Sequence, residues 1–530
     1  MMTSSNAFRE YKDISDRKTR LRRSITLFFS APTNVHQGKI QGSGEASWKM
    51  ESYRMLFRTF AKSSGVYAMS SLISPLVALV LAPYLTHYLS HNDYGVLVIL
   101  NTTIVLVTGI TQLGLATAFF RAYGHDYESQ RDRLDVLSTI VILLLLVSLF
   151  ISIATLISAS WLAKLLFNTI SFGDPIKIAA LVVLLQNLTV PGLVWLRAEN
   201  RTVFFTILSI VQLLVSLSAT IVLVGVFHLG VSGSLLATGG GYLVIAACTI
   251  PVILLSTGVR LRFDIARNLL SFGLPVAAST ISYWVLQLSD RYLLGYFGSL
   301  AQTASYGVAY ILGGALAPVI IAPFLLAWSP VMYSIAKKEN ATYIFQLVFR
   351  WFSSILLFAA FTLSLIATVI LDILFPPVYH SASPVIPIVA ASTMLYGVYI
   401  IFTTGIYIRR KTWCTFIFTS LAALVNVGLN IVLIPLHGSV GAAVSTFVAY
   451  AVLALVAYRV NQWIYPIPFE TGLFIIALLV GIFFYVGSVW LTQAQNVYGT
   501  CAIDLGALCL YGGCLMLLGK LAPQGANNIY

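Results

Sequence analysis

Charge is scarce in this chain. Of 530 residues only 9% are Asp, Glu, Lys or Arg, and only 18 are acidic. A soluble domain carries about 25% charged residues, so an ordinary water-soluble enzyme and a disordered chain are both excluded. Cysteine is as sparse, with five residues: Cys248, Cys414, Cys501, Cys509 and Cys514. Four lie in or beside apolar runs, and none has the spacing of a zinc site or a disulfide framework. They read as small apolar residues. No Ser-His-Asp set, metal cluster or phosphate-binding loop stands out, so no catalytic residue, metal or cofactor is expected. The first apolar run comes late and has no small-residue cleavage site, so no signal peptide is expected.

Apolar sequence fills the space instead: 58% of the chain is hydrophobic and its mean hydropathy is +0.89. A membrane-spanning helix needs about 20 apolar residues. Fourteen stretches qualify: 65–86, 94–118, 134–157, 176–195, 203–227, 231–255, 269–293, 304–328, 348–372, 384–407, 413–434, 439–458, 471–491 and 500–519. They are long and continuous, as spanning helices are and barrel strands are not. The loops support the number. With the N-terminus in the cytoplasm, inside segments hold 28 Lys and Arg, whereas outside loops hold only Lys164, Lys177 and Arg291. That is the positive-inside pattern with both termini cytoplasmic. It accounts for the net charge of +13 without nucleic acid. Residues 1–62, with 12 basic and 5 acidic side chains, read as a disordered cytoplasmic tail, or as lying upstream of a start at Met50 or Met55. The short outer loops leave no room for an extracytoplasmic domain.

The chain repeats itself at an offset of 208 residues. Gly230-Val-Ser-Gly233-Ser-Leu-Leu-Ala-Thr238 matches Gly438-Ser-Val-Gly441-Ala-Ala-Val-Ser-Thr446. The same offset pairs Tyr242 with Tyr450, Arg201 with Arg409, Gly65 with Gly273 and Tyr84 with Tyr292. After a four-residue insertion, Tyr94-Gly95 falls on Tyr306-Gly307. Six helices per unit bring both copies into the membrane from the same side, as in carriers built from parallel repeats. The expected organisation is an all-α polytopic membrane protein of about fourteen helices. Its parts are the tail 1–62, one six-helix bundle over 63–265, a second over 266–462, and two further helices over 463–530. Pro75, Pro83, Pro275, Pro318 and Pro323 fall where kinks are expected.

Charges within spans are costly and usually mark function. Asp290-Arg291 lies near the outer end of span seven, either as an ion pair anchoring a helix end at the interface or as part of a site. Arg121 closes span two, either as an inner-face anchor or as a ligand. Asp372 and Asp504 read as interfacial. Gln186, Asn187, Gln212, Asn426 and Asn430 are expected to hydrogen-bond between helices.

Three segments resemble the Wzx (RfbX) oligosaccharide-lipid flippases, the polysaccharide-transporter branch of the superfamily that also holds MATE exporters and lipid II flippases. They are Leu113-Gly-Leu-Ala-Thr-Ala-Phe-Phe-Arg121, Ser289-Asp-Arg-Tyr-Leu-Leu-Gly-Tyr-Phe-Gly298 with Ser305-Tyr-Gly-Val-Ala-Tyr310, and Val425 to Ser445. Leu436 departs from the family's habit of placing a basic or aromatic residue after the proline of the last segment. The resemblance covers about 65–520. It implies two bundles around a partly cationic cavity. It also implies transfer of a polyprenyl-diphosphate-linked oligosaccharide from the inner to the outer leaflet of the cytoplasmic membrane. O-antigen, capsule and exopolysaccharide assembly are the settings, with membrane lipid, a polysaccharide polymerase and chain-length machinery as partners. On matched positions it implies that Arg121 steers the diphosphate, Arg291 holds it further out, Gln112 and Gln287 assist binding, and Asp290 pairs with Arg291 or couples an ion. A MATE-type exporter would carry more buried acids. A glycosyltransferase or polymerase would need acidic or large outer loops, which are missing here.

Overall fold

The computed structural model describes residues 77–492 and 497–521. The tail 1–62, Gly65, Pro75 and most of the expected span 65–86 lie outside the described residues. The described chain begins with α1 (Val77–Tyr88). It continues with α2 (His91–Thr111), α3 (Leu115–Arg121), α4 (Gln130–Ile157), α5 (Ala159–Phe167), α6 (Gly173–Ala198), α7 (Thr202–Thr220), α8 (Gly230–Thr257) and α9 (Phe263–Phe297). The second half holds α10 (Leu300–Gly313), α11 (Ala322–Ile335), α12 (Ala341–Leu374), α13 (Val385–Phe402), α14 (Thr404–Ile408), α15 (Trp413–Ile464), α16 (Thr471–Thr492) and α17 (Val497–Leu521). No strand occurs among the described residues. In hydrocarbon every backbone N–H and C=O must be paired within its own segment, which a helix alone achieves for an isolated span. Serines open several helices: Ser90, Ser129 and Ser299 accept the backbone N–H of Asp93, Asp132 and Gln302.

Twelve helices among the described residues are long and apolar enough to cross a membrane, making this a multi-pass membrane protein. The expected figure of fourteen is therefore not reached by that count. One of the twelve, α15, has 52 residues. At 1.5 Å per residue it would measure about 78 Å, against a hydrocarbon core of about 30 Å. It turns back at Gly438 (φ 56°, ψ −131°) between the spans expected at 413–434 and 439–458. Of the span expected at 65–86, α1 contains the described part.

The repeat is visible in local geometry. Gly230 and Gly438 share a positive φ of 57° and 56°. Three residues on, Gly233 and Gly441 each bring their helix against the backbone of the preceding one, at Leu223 and Leu433. The pair Gly95 and Gly307 meets across one interface: Gly95 of α2 sits on the Leu300 carbonyl of α10, while Gly307 of α10 sits on Val98 of α2. Equivalent residues facing each other's helix is what a twofold relation produces. A Cβ on Gly95 would overlap the Leu300 oxygen. Gly95→Ala is therefore expected to cost about 1–3 kcal/mol by overpacking, read as a lower thermal midpoint in detergent. Gly307→Ala is expected to cost less, because a valine side chain can yield where a backbone cannot.

Two straps hold connecting segments. Between α8 and α9, Gly258 O accepts the Ser138 hydroxyl at 3.0 Å, and Ser138 Oγ accepts the Arg260 N–H at 2.8 Å. Arg262 pairs there with Asp132, Asp135 and Asp264. Those carboxylates, Asp264 foremost, push its guanidinium above its ordinary pKa. Ahead of α16, Glu470 accepts Arg350 Nε at 2.6 Å and Gln346 Nε2 at 2.7 Å, tying the last two helices to α12. The largest apolar core runs from α11, α12 and α13 through α15 to α16 and α17. A second core joins α2 and α6 with α10 and α13.

Candidate functional site

α9 carries charged groups near both of its ends. Asp290 lies seven residues before Phe297, about 10 Å along the axis, and it is enclosed by protein: its exposure is 0%. The reason is its neighbours, since α10 and α15 cover this end of α9. Asp290 Oδ1 accepts Arg291 Nη1 at 3.0 Å and the Arg291 backbone N–H at 2.9 Å. Asp290 Oδ2 accepts the Tyr306 hydroxyl of α10. The Arg291 side chain is only 12% exposed. It also donates to Gln287 O at 2.7 Å and lies 4.2 Å over the Tyr310 ring. Gln287 donates its side-chain amide to the Tyr283 hydroxyl at 2.9 Å.

The network continues into α15. Ser289 donates to Asn426 Oδ1 at 3.1 Å, Asn426 Nδ2 to Thr446 Oγ1 at 3.2 Å, and Asn430 Nδ2 to Asn426 Oδ1 at 3.0 Å. Both asparagines are fully buried. Asn430 Oδ1 is a buried acceptor with no hydrogen bond among the described residues. The elements supply these groups as i, i+4 pairs, which share one helix face: Gln287 with Arg291, Tyr306 with Tyr310, Asn426 with Asn430, and Thr446 with Tyr450. Sequence reasoning isolated the α9 charges and missed Tyr306, Tyr310 and Thr446 as their partners. The four-residue spacing on three helices, α9, α10 and α15, was the available signal.

Arg121 is elsewhere. Its side chain is 49% exposed, 3.3 Å from Asp126, and 4.7 Å over the Phe272 ring of α9. Asn268 of α9 donates to the same aspartate at 3.5 Å. Phe272 and Arg291 are separated by 19 residues of α9, or about 28 Å of helix. The two arginines therefore mark opposite ends of one helix and do not form one site. Gln112 lies between α2 and α3 at a break in the expected span 94–118. Leu113 and Gly114 there have φ of 49° and 67°. The Gln112 N–H reaches Thr108 O at 3.0 Å, and its carbonyl accepts Leu115 N–H at 2.8 Å. The break is seated on α9: a Cβ on Gly114 would overlap the Gly273 carbonyl oxygen. The structure thus groups Gln287, Asp290 and Arg291, and leaves Gln112 and Arg121 outside that group. Among the described residues no cluster of three His, Cys, Asp or Glu is placed to hold a metal.

The profile of the family described as polysaccharide biosynthesis protein matches residues 60–336, just over half of the chain. The chain belongs to that family. As a member, it is 30% identical over 230 residues to an uncharacterised membrane protein of Methanocaldococcus jannaschii. That match takes 41% of this chain and 43% of the relative, so the chain spans less than half the length of the curated protein it matches. Among solved structures, the lipid II flippase MurJ in an inward closed conformation superposes with a TM-score of 0.68 at 14% identity. The overlap covers 87% of this chain and 99% of MurJ. An inward-facing MATE multidrug transporter of the MOP superfamily gives 0.59 at 14% identity, over 75% of this chain and 97% of that one. A MOP transporter from Pyrococcus furiosus gives 0.55 at 13%, over 76% and 95%. At such identities the likeness shows a shared fold: the polysaccharide biosynthesis family member has a MurJ- and MATE-like polytopic architecture. Those solved neighbours are themselves described as a lipid II flippase and transporters.

Proposed function

We propose that this chain moves polyprenyl-diphosphate-linked oligosaccharide repeat units from the inner to the outer leaflet of the cytoplasmic membrane by alternating access, for O-antigen, capsule or exopolysaccharide assembly. The observation that carries this is Arg291, a guanidinium sealed among spanning helices and matched by one carboxylate. Such a cation is costly in a bilayer and suits an anionic cargo. Sugar hydroxyls cost about 2–7 kcal/mol each to bury unpaired, so the headgroup needs a polar path while its lipid tail stays in the bilayer. The two bundles, 63–265 and 266–462, rock about that path with both termini in the cytoplasm, and 463–530 adds the last two helices. Arg121 steers the diphosphate at the inner mouth, with Gln112 beside the break. Arg291 and Gln287 hold it further out. Asp290 pairs with Arg291 or couples an ion. An inside-negative potential favours the outward step by about 4–5 kcal/mol per 100 mV for two charges crossing the whole field. Polymerase and chain-length machinery receive the product.

Deletion of the gene in its host, followed by mass spectrometry of extracted lipids, tests this. Loss of surface polysaccharide with complete diphosphate-linked units retained in the inner leaflet is the expected result. Normal polysaccharide with drug sensitivity would replace it by a MATE-type exporter, and retained lipid II by a MurJ-like cargo, the alternative favoured by the MurJ superposition. Retained incomplete units would point to an enzyme. Arg121→Ala is expected to slow export about tenfold, the equivalent of one 1.4 kcal/mol contact, without lowering the melting temperature, since its side chain is half exposed. Export at the parental rate removes its steering role.

A further inference from the structure

Away from Arg291, a cleft of about 510 Å³ opens between α4 and the start of α9. Pockets of about 300–1,000 Å³ are of the size that holds a small ligand. The walls are Leu143 of α4, Leu261 of the connecting segment, and Phe263, Ala266 and Leu270 of α9. Among the described residues that line it, Arg267 is the one charged side chain. The nearby cations are committed elsewhere: Arg262 to Asp132, Asp135 and Asp264, and Arg260 to Asp135. Arg267 is exposed and, among the described residues, has no ion pair, hydrogen bond or ring contact. An arginine that only anchors a helix end needs no cleft beside it. The cleft is also ordered by depth. The pairing of Arg262 with Asp135 brings the starts of α4 and α9 to one level. Leu143 lies eight residues beyond Asp135, about 12 Å further along α4. Leu270 lies three residues beyond Arg267, about 4.5 Å further along α9. The charge therefore stands at the mouth, the apolar wall runs inward, and Phe263 at the rim is 80% exposed.

We infer that this cleft binds an anionic phospholipid of the surrounding bilayer, with the phosphate on Arg267 and an acyl chain along Leu143 and Leu270. A guanidinium takes a phosphate through two parallel hydrogen bonds. Basic pockets between spanning helices hold anionic headgroups in the same way. A free phosphate would use the cation and leave the apolar walls bare. A zwitterionic lipid would bring its own cation toward Arg267 and bind less well. The site has a structural consequence. The segment joining α8 to α9 is already strapped to α4 through Ser138 and Arg262. A lipid in the cleft adds a tie across the same joint, holding α4 against the first turns of α9. None of this depends on the cargo proposed above.

The test uses the full chain in detergent, titrated with phosphatidylglycerol or with phosphatidylcholine of identical acyl chains. Native mass spectrometry reads the lipid bound. Phosphatidylglycerol is expected to bind about fivefold more tightly, the ratio equivalent to the roughly 1 kcal/mol that one Lys or Arg contributes at a membrane surface. Arg267→Gln is expected to remove that preference. Ser271→Trp, at an exposed position on the cleft, is expected to weaken both lipids by filling it. Neither side chain is buried, so both variants are expected to melt at the parental temperature. Equal binding of the two lipids by the parent chain shows ordinary annular contact and overturns the inference. A preference that survives Arg267→Gln puts the headgroup elsewhere and overturns it too. Displacement of phosphatidylglycerol by an equimolar polyprenyl diphosphate would make the cleft a station of the cargo, and a site for bilayer lipid would be ruled out.

Discussion

Arg291→Ala is expected to destabilise the folded chain by about 3–5 kcal/mol, the cost of leaving a buried charge without its partner. Asp290 would keep the Tyr306 hydroxyl and one backbone N–H and lose its cation, at a position with 0% exposure. The sign is asymmetric. Replacing both charges, Asp290→Asn with Arg291→Met, is expected to recover much of the loss, because no uncompensated charge then remains. Stability is measured by thermal unfolding in detergent, and cargo transfer by the lipid analysis of the deletion strain complemented with each variant. The single variant is expected to lose both stability and transfer. The double variant is expected to regain stability alone, which separates folding from function. A single variant that melts within about 1 kcal/mol of the parent, the range of an exposed pair, would show that the ion pair is open to water.

Gly114→Val is expected to have the second largest effect. Gly114 has φ 67° and ψ 11°, a region that costs a residue with a side chain about 1–2 kcal/mol. Its missing Cβ is the space occupied by the Gly273 carbonyl, and a Cβ on Gly273 would in turn overlap the Leu113 carbonyl. Overpacking adds about 1–3 kcal/mol, and backbone on both sides leaves no soft group to yield. The corner between α2 and α3 would lift off α9, carrying Arg121 away from Phe272. A cysteine pair at 121 and 272, in a chain whose five cysteines are replaced by alanine, reports this as lost cross-linking. Retained cross-linking with an unchanged melting temperature would overturn the packing role of the corner.

Helices were legible because hydropathy runs long enough to span a bilayer leave few other structures. The corner at Gly438 was legible through the matching block at Gly230. The corner at Gly114 was not: it interrupts an apolar run without proline, and Leu113 beside it is an unusual residue for a positive φ. Asp290 shows a different limit. Seven residues from a helix end suggests an exposed position, but burial depends on which other helices overlap that end, and Tyr306, Asn426 and Tyr450 arrive from 16 to 160 residues away. The Arg350–Glu470 strap joins residues 120 apart in sequence, with nothing local to announce it. The two arginines singled out in the sequence, Arg121 and Arg291, were found by residue type. Their separation along α9 emerged from packing.

The turn at Gly438 also bears on how the protein is made. A single residue out of helical conformation joins two spans within Trp413–Ile464, so almost no loop is left to be threaded across the membrane. These two helices must leave the insertion machinery side by side, as a preformed hairpin. Asn426 and Thr446 face each other across that hairpin at 3.2 Å. The costly amide therefore has a hydrogen-bond partner within the hairpin itself, without calling on any other part of the chain.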